Sequence, residues 1–254
     1  MLGLIVELIL SWLLLWIVFK KNLLVLGVTP SKSRLSNLFI GISIASVCCT
    51  LYFLSFVLFT TNKWTLNPEF TGQKLLTSSW WTLNSVLFEE LIFRGALLYI
   101  LIKKLGAKIA CVISAMCFGV YHWFTFGVFD NPMQMTYIFI LTGIWGAMFA
   151  MAFAKTKSLY LPIGLHFGWN FISTVIFSQG PLKKQLLVIS GEQNMGEVLS
   201  IVVIIFQVLA VPTATYYYLN LLTKKQTKFI AKETTTTNIG IENSGAEHLN
   251  NEQW

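Results

Sequence analysis

The chain has 254 residues, of which 55% are hydrophobic and only 11% charged, with a formal net charge of +7 and a mean hydropathy of +0.67. A soluble domain carries about 25% charged residues, so the composition excludes an ordinary water-soluble globule, and with it a nucleic-acid binder driven by its positive charge. Ten-residue stretches of alternating hydrophobicity, as an outer-membrane barrel needs, are absent, and the predicted fold is an all-α, polytopic transmembrane helical bundle.

Seven apolar segments predict about seven membrane helices, over roughly 2–19, 36–60, 80–102, 109–128, 133–154, 158–178 and 197–220. The first has no basic lead and no cleavage signature, and its charges, Lys20 and Lys21, follow the apolar run; it reads as a retained helix rather than a signal peptide. Cys48 and Cys49 in the second segment, and Cys111 and Cys117 in the fourth, stand in apolar runs without a CxxC spacing, which predicts buried helix residues rather than a disulfide framework. The third segment is interrupted by Glu89, Glu90 and Arg94 in "FEELIFRG". The fourth carries His122 in "FGVYHW", and the fifth spaces Gly143 with Ala147 and Gly146 with Ala150, small residues that let helices approach closely. The sixth holds His166 and Asn170 in "HFGWN". Residues 1–223 are thus one transmembrane domain, and the polar, aperiodic stretch 224–254 is predicted to be a disordered cytoplasmic tail. His248, within it, is assigned no role.

Basic residues alternate between the connections. Lys20, Lys21, Lys32 and Arg34 lie in the first, Lys103, Lys104 and Lys108 in the third, Lys155 and Lys157 in the fifth, and Lys224, Lys225 and Lys228 at the start of the tail. The other connections hold Lys63 and Lys74 with Glu69, then Asp130, then Lys183 and Lys184 with Glu192. The positive-inside rule places the richer side in the cytoplasm, giving a multi-pass plasma-membrane protein with its C-terminus inside. Trp80, Trp81 and Trp123 then fall near the outer interface, and Tyr160 and Tyr216 near the inner one.

A charge at the bilayer centre costs ~2.5–3.5 kcal/mol on the lenient insertion scale, so three in the third segment need reasons. Glu90 and Arg94, four apart with the glutamate first, predict an ion pair within the helix. Glu89 is turned about 100° away and has no basic residue on its face. At 1.5 Å per residue it lies ~16 Å above the inner boundary, and His122, His166 and Asn170 lie ~20, ~12 and ~18 Å above it. Four polar groups from three helices therefore share the middle of the membrane. A single histidine there is most simply a packing residue; two, with an asparagine and an unpaired glutamate, are harder to account for that way.

These residue types suit hydrolysis of a peptide bond. A carboxylate in surroundings that tune its basicity can take a proton from water, with a histidine positioning that water. A second histidine and an amide can donate hydrogen bonds to a developing oxyanion. There is no HExxH, yet Glu89, His122 and His166 could form an open zinc site, and the residues alone leave the metal and metal-free versions open. The absence of an evident internal repeat, and of intramembrane acids beyond Glu7, argues against a proton-coupled transporter. A non-catalytic membrane interaction or immunity protein is the other alternative.

At these residues the chain resembles the CPBP intramembrane proteases, the CAAX-protease and bacteriocin-processing (Abi) family. EExxxR matches Glu89, Glu90 and Arg94; FxxxH matches Phe118 and His122; HxxxN matches His166 and Asn170, in the family's order over about residues 75–180. The resemblance implies a helical bundle with an intramembrane active site. Glu89 and His122 would activate water, His166 and Asn170 would form the oxyanion hole, and Glu90 and Arg94 would be structural. The family's type II CAAX prenyl endopeptidase branch is read as glutamate-dependent, which implies no metal cofactor, with zinc as the variant. The expected partners are a peptide or membrane-protein substrate, the lipid bilayer and a membrane partner protein. The expected role is peptide or bacteriocin maturation or self-immunity.

Overall fold

The computed structural model describes residues 2–177, 185–190 and 195–250, with side chains absent from the description at 190, 226 and 229–250. Lys183, Lys184 and Glu192 of the sixth connection, and the side chain of His248, lie outside the described residues. Eight α-helices are present among them: α1 (Leu2–Phe19), α2 (Lys32–Leu58), α3 (Gly72–Arg94), α4 (Ala96–Leu105), α5 (Ala107–Phe126), α6 (Pro132–Thr156), α7 (Tyr160–Phe171) and α8 (Glu197–Asn250). The protein is a helical membrane bundle, as the composition predicts. α1, α2, α5, α6 and residues 197–225 of α8 are each long and apolar enough to span a membrane. The α1 surface is made of side chains such as Leu2, Ile5, Ile9 and Ile17, all more than half exposed, a surface suited to lipid rather than water. By contrast, α3 carries Lys74, Glu89, Glu90 and Arg94, and α7 has only 12 residues.

Local chemistry sets the helix ends. Ser31 and Thr71 accept from the backbone N–H groups of Arg34 and Lys74 at the starts of α2 and α3. Asn131 accepts from both Met133 and Gln134 ahead of Pro132, which opens α6. A 3₁₀ turn, Leu23–Leu26, closes on Gly27 in the left-handed conformation, φ 68°. A Cβ there would stand 2.4 Å from the Lys157 carbonyl oxygen, so only glycine lets this turn sit against the α6–α7 corner. Ser158 seals the contact by donating to the Gly27 carbonyl at 3.0 Å.

The third apolar segment departs from expectation. It begins earlier, at Gly72, and is two helices, broken at Gly95 between α3 and α4. A Cβ on Gly95 would lie 2.1 Å from the Leu91 carbonyl oxygen, so the chain redirects at the one residue without a side chain. The sixth segment is interrupted too: α7 passes into a π-helical turn, Ile172–Ile176. Two short strands, β1 (Lys63–Leu66) and β2 (Leu187–Ser190), pair antiparallel with Trp64 opposite Ile189, where only connections were expected. Phe53, Trp64 and Phe177 pack together beneath them. Residues 224–250, expected to be disordered, have a helical backbone as the continuation of α8; a helix already nucleated extends at one hydrogen bond per residue fixed. The described residues divide into two units, up to Thr215 and from Tyr216.

The pairing of α2 with α7 positions the site. A Cβ on Gly164 would lie 2.3 Å from the Leu38 carbonyl oxygen, and one on Gly168 2.6 Å from that of Ile42. Two glycines four apart thus bring the α7 backbone against α2, and His166 stands between them in sequence. α5 meets α6 similarly, with Gly146 against Phe118 and Ala115.

Candidate active site

Three helices bring Glu89 (α3), His122 (α5) and His166 (α7) together. Glu89 Oε2 is 3.9 Å from His122 Nε2 and 3.8 Å from His166 Nε2. All three residues are buried. These gaps exceed a direct hydrogen bond and are of the size that a bridging water closes. Glu89 Oε2 has no hydrogen-bond partner in the structure.

The other nitrogen of each imidazole fixes its tautomer. His122 Nδ1 is 2.8 Å from the Phe118 carbonyl oxygen. A carbonyl only accepts, so Nδ1 carries the proton. His166 Nδ1 is 2.8 Å from Glu90 Oε1 and donates to that carboxylate in the same way. Both Nε2 atoms therefore present to Glu89 a lone pair in the neutral ring, or a second N–H in the imidazolium.

Glu90 has a second contact. Its Oε1 accepts from Arg94 Nη1 at 3.1 Å, with both side chains wholly buried. Arg94 Nη2 donates to the Gly146 carbonyl at 3.3 Å, and its guanidinium carbon lies 4.1 and 4.8 Å from the ring centres of Phe118 and Phe149. The same rings touch the histidines: Phe118 lies edge-on to His122 at 4.4 Å, and Phe149 stacks on His166 at 4.9 Å. Arg94 thus holds Glu90 and a pair of phenylalanines, and these hold the imidazoles.

Two features lie outside the sequence reading. Glu90 was expected to serve only Arg94, on its own helix; it also reaches α7 and orients His166. Phe149 carried no signal in the sequence that separates it from the other phenylalanines, 20 in all. Gly146 was visible only as a packing residue. Asn170 lies one turn after His166 on α7 and is half-buried.

The zinc set of Glu89, His122 and His166 fits poorly. Tetrahedral ligands at zinc–nitrogen distances stand ~3.3 Å apart, closer than the 3.8 and 3.9 Å found from Glu89 to the two Nε2 atoms. Among the described residues, no group of three or more His, Cys, Asp or Glu side chains is placed to hold a metal ion.

Comparison with known proteins adds one finding. No curated protein and no solved structure shows significant similarity to the chain. The family model described as type II CAAX prenyl endopeptidase Rce1-like matches residues 71–172, a span that runs from the cap of α3 through Asn170 and supports intramembrane endopeptidase activity. EExxxR, FxxxH and HxxxN all lie inside that span, so over this segment the chain is similar to the Rce1-like family of CAAX-type membrane proteases.

Proposed function

We propose that the protein hydrolyses peptide bonds within the membrane using water activated by Glu89. The observation carrying this reading is the convergence of three groups: an unpartnered, buried carboxylate oxygen faces two imidazole Nε2 atoms at 3.9 and 3.8 Å, beyond a direct hydrogen bond. Glu89 takes a proton from that water as its oxygen bonds to the carbonyl carbon. His122, with Nδ1–H spent on the Phe118 carbonyl, accepts the water's other hydrogen at Nε2 and aims its lone pair. The carbonyl oxygen becomes an oxyanion, stabilised by donors placed where that charge develops. On collapse, the C–N bond breaks and the proton held by Glu89 passes to the leaving amine, yielding one carboxylic acid and one amine.

His166 adds a condition. Its Nδ1–H is directed at Glu90, so it donates to the oxyanion from Nε2 only as an imidazolium. Glu90, on the Nδ1 side, supplies the compensating charge to that ring. Asn170, one turn away, is the neutral co-donor in this scheme. No metal is required, and the ligand spacing favours that version. Purified active protein should hold substoichiometric metal and keep its activity through prolonged chelation; stoichiometric zinc, whose removal and return switch activity off and on, would overturn the metal-free scheme.

The biological setting we propose is the plasma membrane with a cytoplasmic C-terminus, in peptide or bacteriocin maturation or self-immunity. The experiment is a comparison of membrane peptidomes from cells making the wild-type protein and Glu89→Gln. Fragments that vanish in the variant identify substrates. Identical peptidomes, with both proteins folded and equally abundant, would favour the membrane interaction role instead.

A further inference from the structure

Ser78, Thr82, Ser85 and Glu89 follow one another on α3 at spacings of four, three and four, which lines them up in a single stripe on the helix. Lys74 continues the stripe by one turn, half-buried and 3.6 Å from Glu69, which is at the surface. The stripe does not face lipid: Ser78 and Thr82 are 2% and 1% exposed. α3 packs along α7 and along the π turn that follows it, an irregularity that recurs at functional sites.

Two oxygens on this stripe lack partners. Thr82 Oγ1 donates back to the Ser78 carbonyl at 2.9 Å, but Ser78 Oγ at one end and Glu89 Oε2 at the other bond to no protein group. Buried polar atoms that the protein leaves unpaired are commonly satisfied by ordered water. Ser78 to Glu89 spans ~16 Å along the axis, divided by the intervening hydroxyls into steps of ~4.5–6 Å. One or two waters at ~2.8 Å spacing bridge each step.

We infer that this stripe is a water-binding site, a hydrogen-bonded file linking the Glu69–Lys74 surface to Glu89. The inference rests on the reading of Glu89 as the base that acts on water. Each hydrolysis consumes one water molecule, and a hydrocarbon surround cannot replace it. The file supplies the replacement and gives Ser78 Oγ its missing partner.

The test starts from a chain whose four cysteines, Cys48, Cys49, Cys111 and Cys117, are replaced by alanine. Single cysteines are placed at Ser78, Thr82 and Ser85 on the stripe, and at Leu83 and Leu87 on other faces. The probe is aqueous silver ion, small enough for a narrow file; modification is read as protection from maleimide labelling after denaturation. Thiols at 78, 82 and 85 should react and those at 83 and 87 should not. In a second arm, Thr82→Val is assayed on a quenched fluorogenic peptide selected with the wild-type protein from a random decapeptide library. Loss of one hydrogen bond to water, ~1 kcal/mol, should lower kcat about fivefold with KM unchanged. Stripe thiols as inert as the controls, or a Thr82→Val enzyme with wild-type kcat, would overturn the inference. If the stripe thiols react while wild-type and Glu89→Gln proteins cleave the library alike, the water site stands and the role given to Glu89 falls.

Discussion

Adjacent glutamates on one helix have separate surroundings here. Glu89 faces two imidazoles across gaps and has an oxygen without a partner; Glu90 has Arg94 and His166 on a single oxygen. Glu89→Gln should therefore cut activity by at least ~10²-fold, the lower range for a general base, with the melting temperature in detergent unchanged or raised. Glu90→Gln strands Arg94 in a wholly buried position, at a cost of ~3–5 kcal/mol, and also frees the His166 ring. Both the melting temperature and the activity per folded molecule should fall. Arg94→Gln should match its loss of stability, and the double variant should be milder than the sum of the two because the residues share one interaction. An active Glu89→Gln enzyme beside a stable but inactive Glu90→Gln would reverse the assignment. Phe149→Leu tests the aromatic support: losing a desolvated cation–π contact costs ~2 kcal/mol. It should lower the melting temperature and, with the His166 ring unsupported, lower kcat more than it raises KM.

Helix contacts decide how well these side chains are aimed. Gly164→Ala or Gly168→Ala sets a methyl group inside the α2 backbone's space, so α7 must withdraw and carry His166 with it. Overpacking of this kind costs ~1–3 kcal/mol or more, and either variant should lose both thermal stability and activity. Gly106→Ala is the contrast: its φ of 81° is strained for alanine, yet nothing lies within 4 Å of the added Cβ. A loss of ~1–3 kcal/mol with normal activity per folded molecule is expected. At this scale the sequence was legible only in part. Apolar runs located the helices because burial in lipid demands them. They could not show the break at Gly95, since hydropathy records affinity for lipid and is blind to backbone direction. The GxxxG around His166 was legible in principle, but there the histidine drew the reading toward chemistry and away from packing. Glu90's bond to His166 was beyond reach, because the rotation of α7 about its axis is set by Leu38 and Ile42 on another helix.

Across the whole molecule, alternation of lysine-rich and lysine-poor connections predicts the orientation. A reporter fused after residue 225 should be cytoplasmic, and one inserted near Asn67 external; an external C-terminal reporter would overturn the orientation. The meeting of Glu89, His122 and His166 was anticipated from depth alone, because helices crossing one slab at a common rise per residue convert sequence position into height. Height does not say which helices are neighbours, so the contributions of Gly146 and Phe149 from α6 emerged only with the packing.

The pairing of β1 with β2 has a consequence for biosynthesis. Thr65 and Val188 meet across 123 residues of chain, and Leu186 N–H also bonds the Val175 carbonyl within the π turn. β1 is made long before its partner exists, and closing so long a loop is entropically costly until the helices between have met. The ribbon is therefore a late clasp, fastened after α3, α5, α6 and α7 have entered the membrane. Nascent chains stalled before residue 187 should contain every residue of the candidate site yet remain open to protease near β1, and that sensitivity should disappear once β2 has been synthesised.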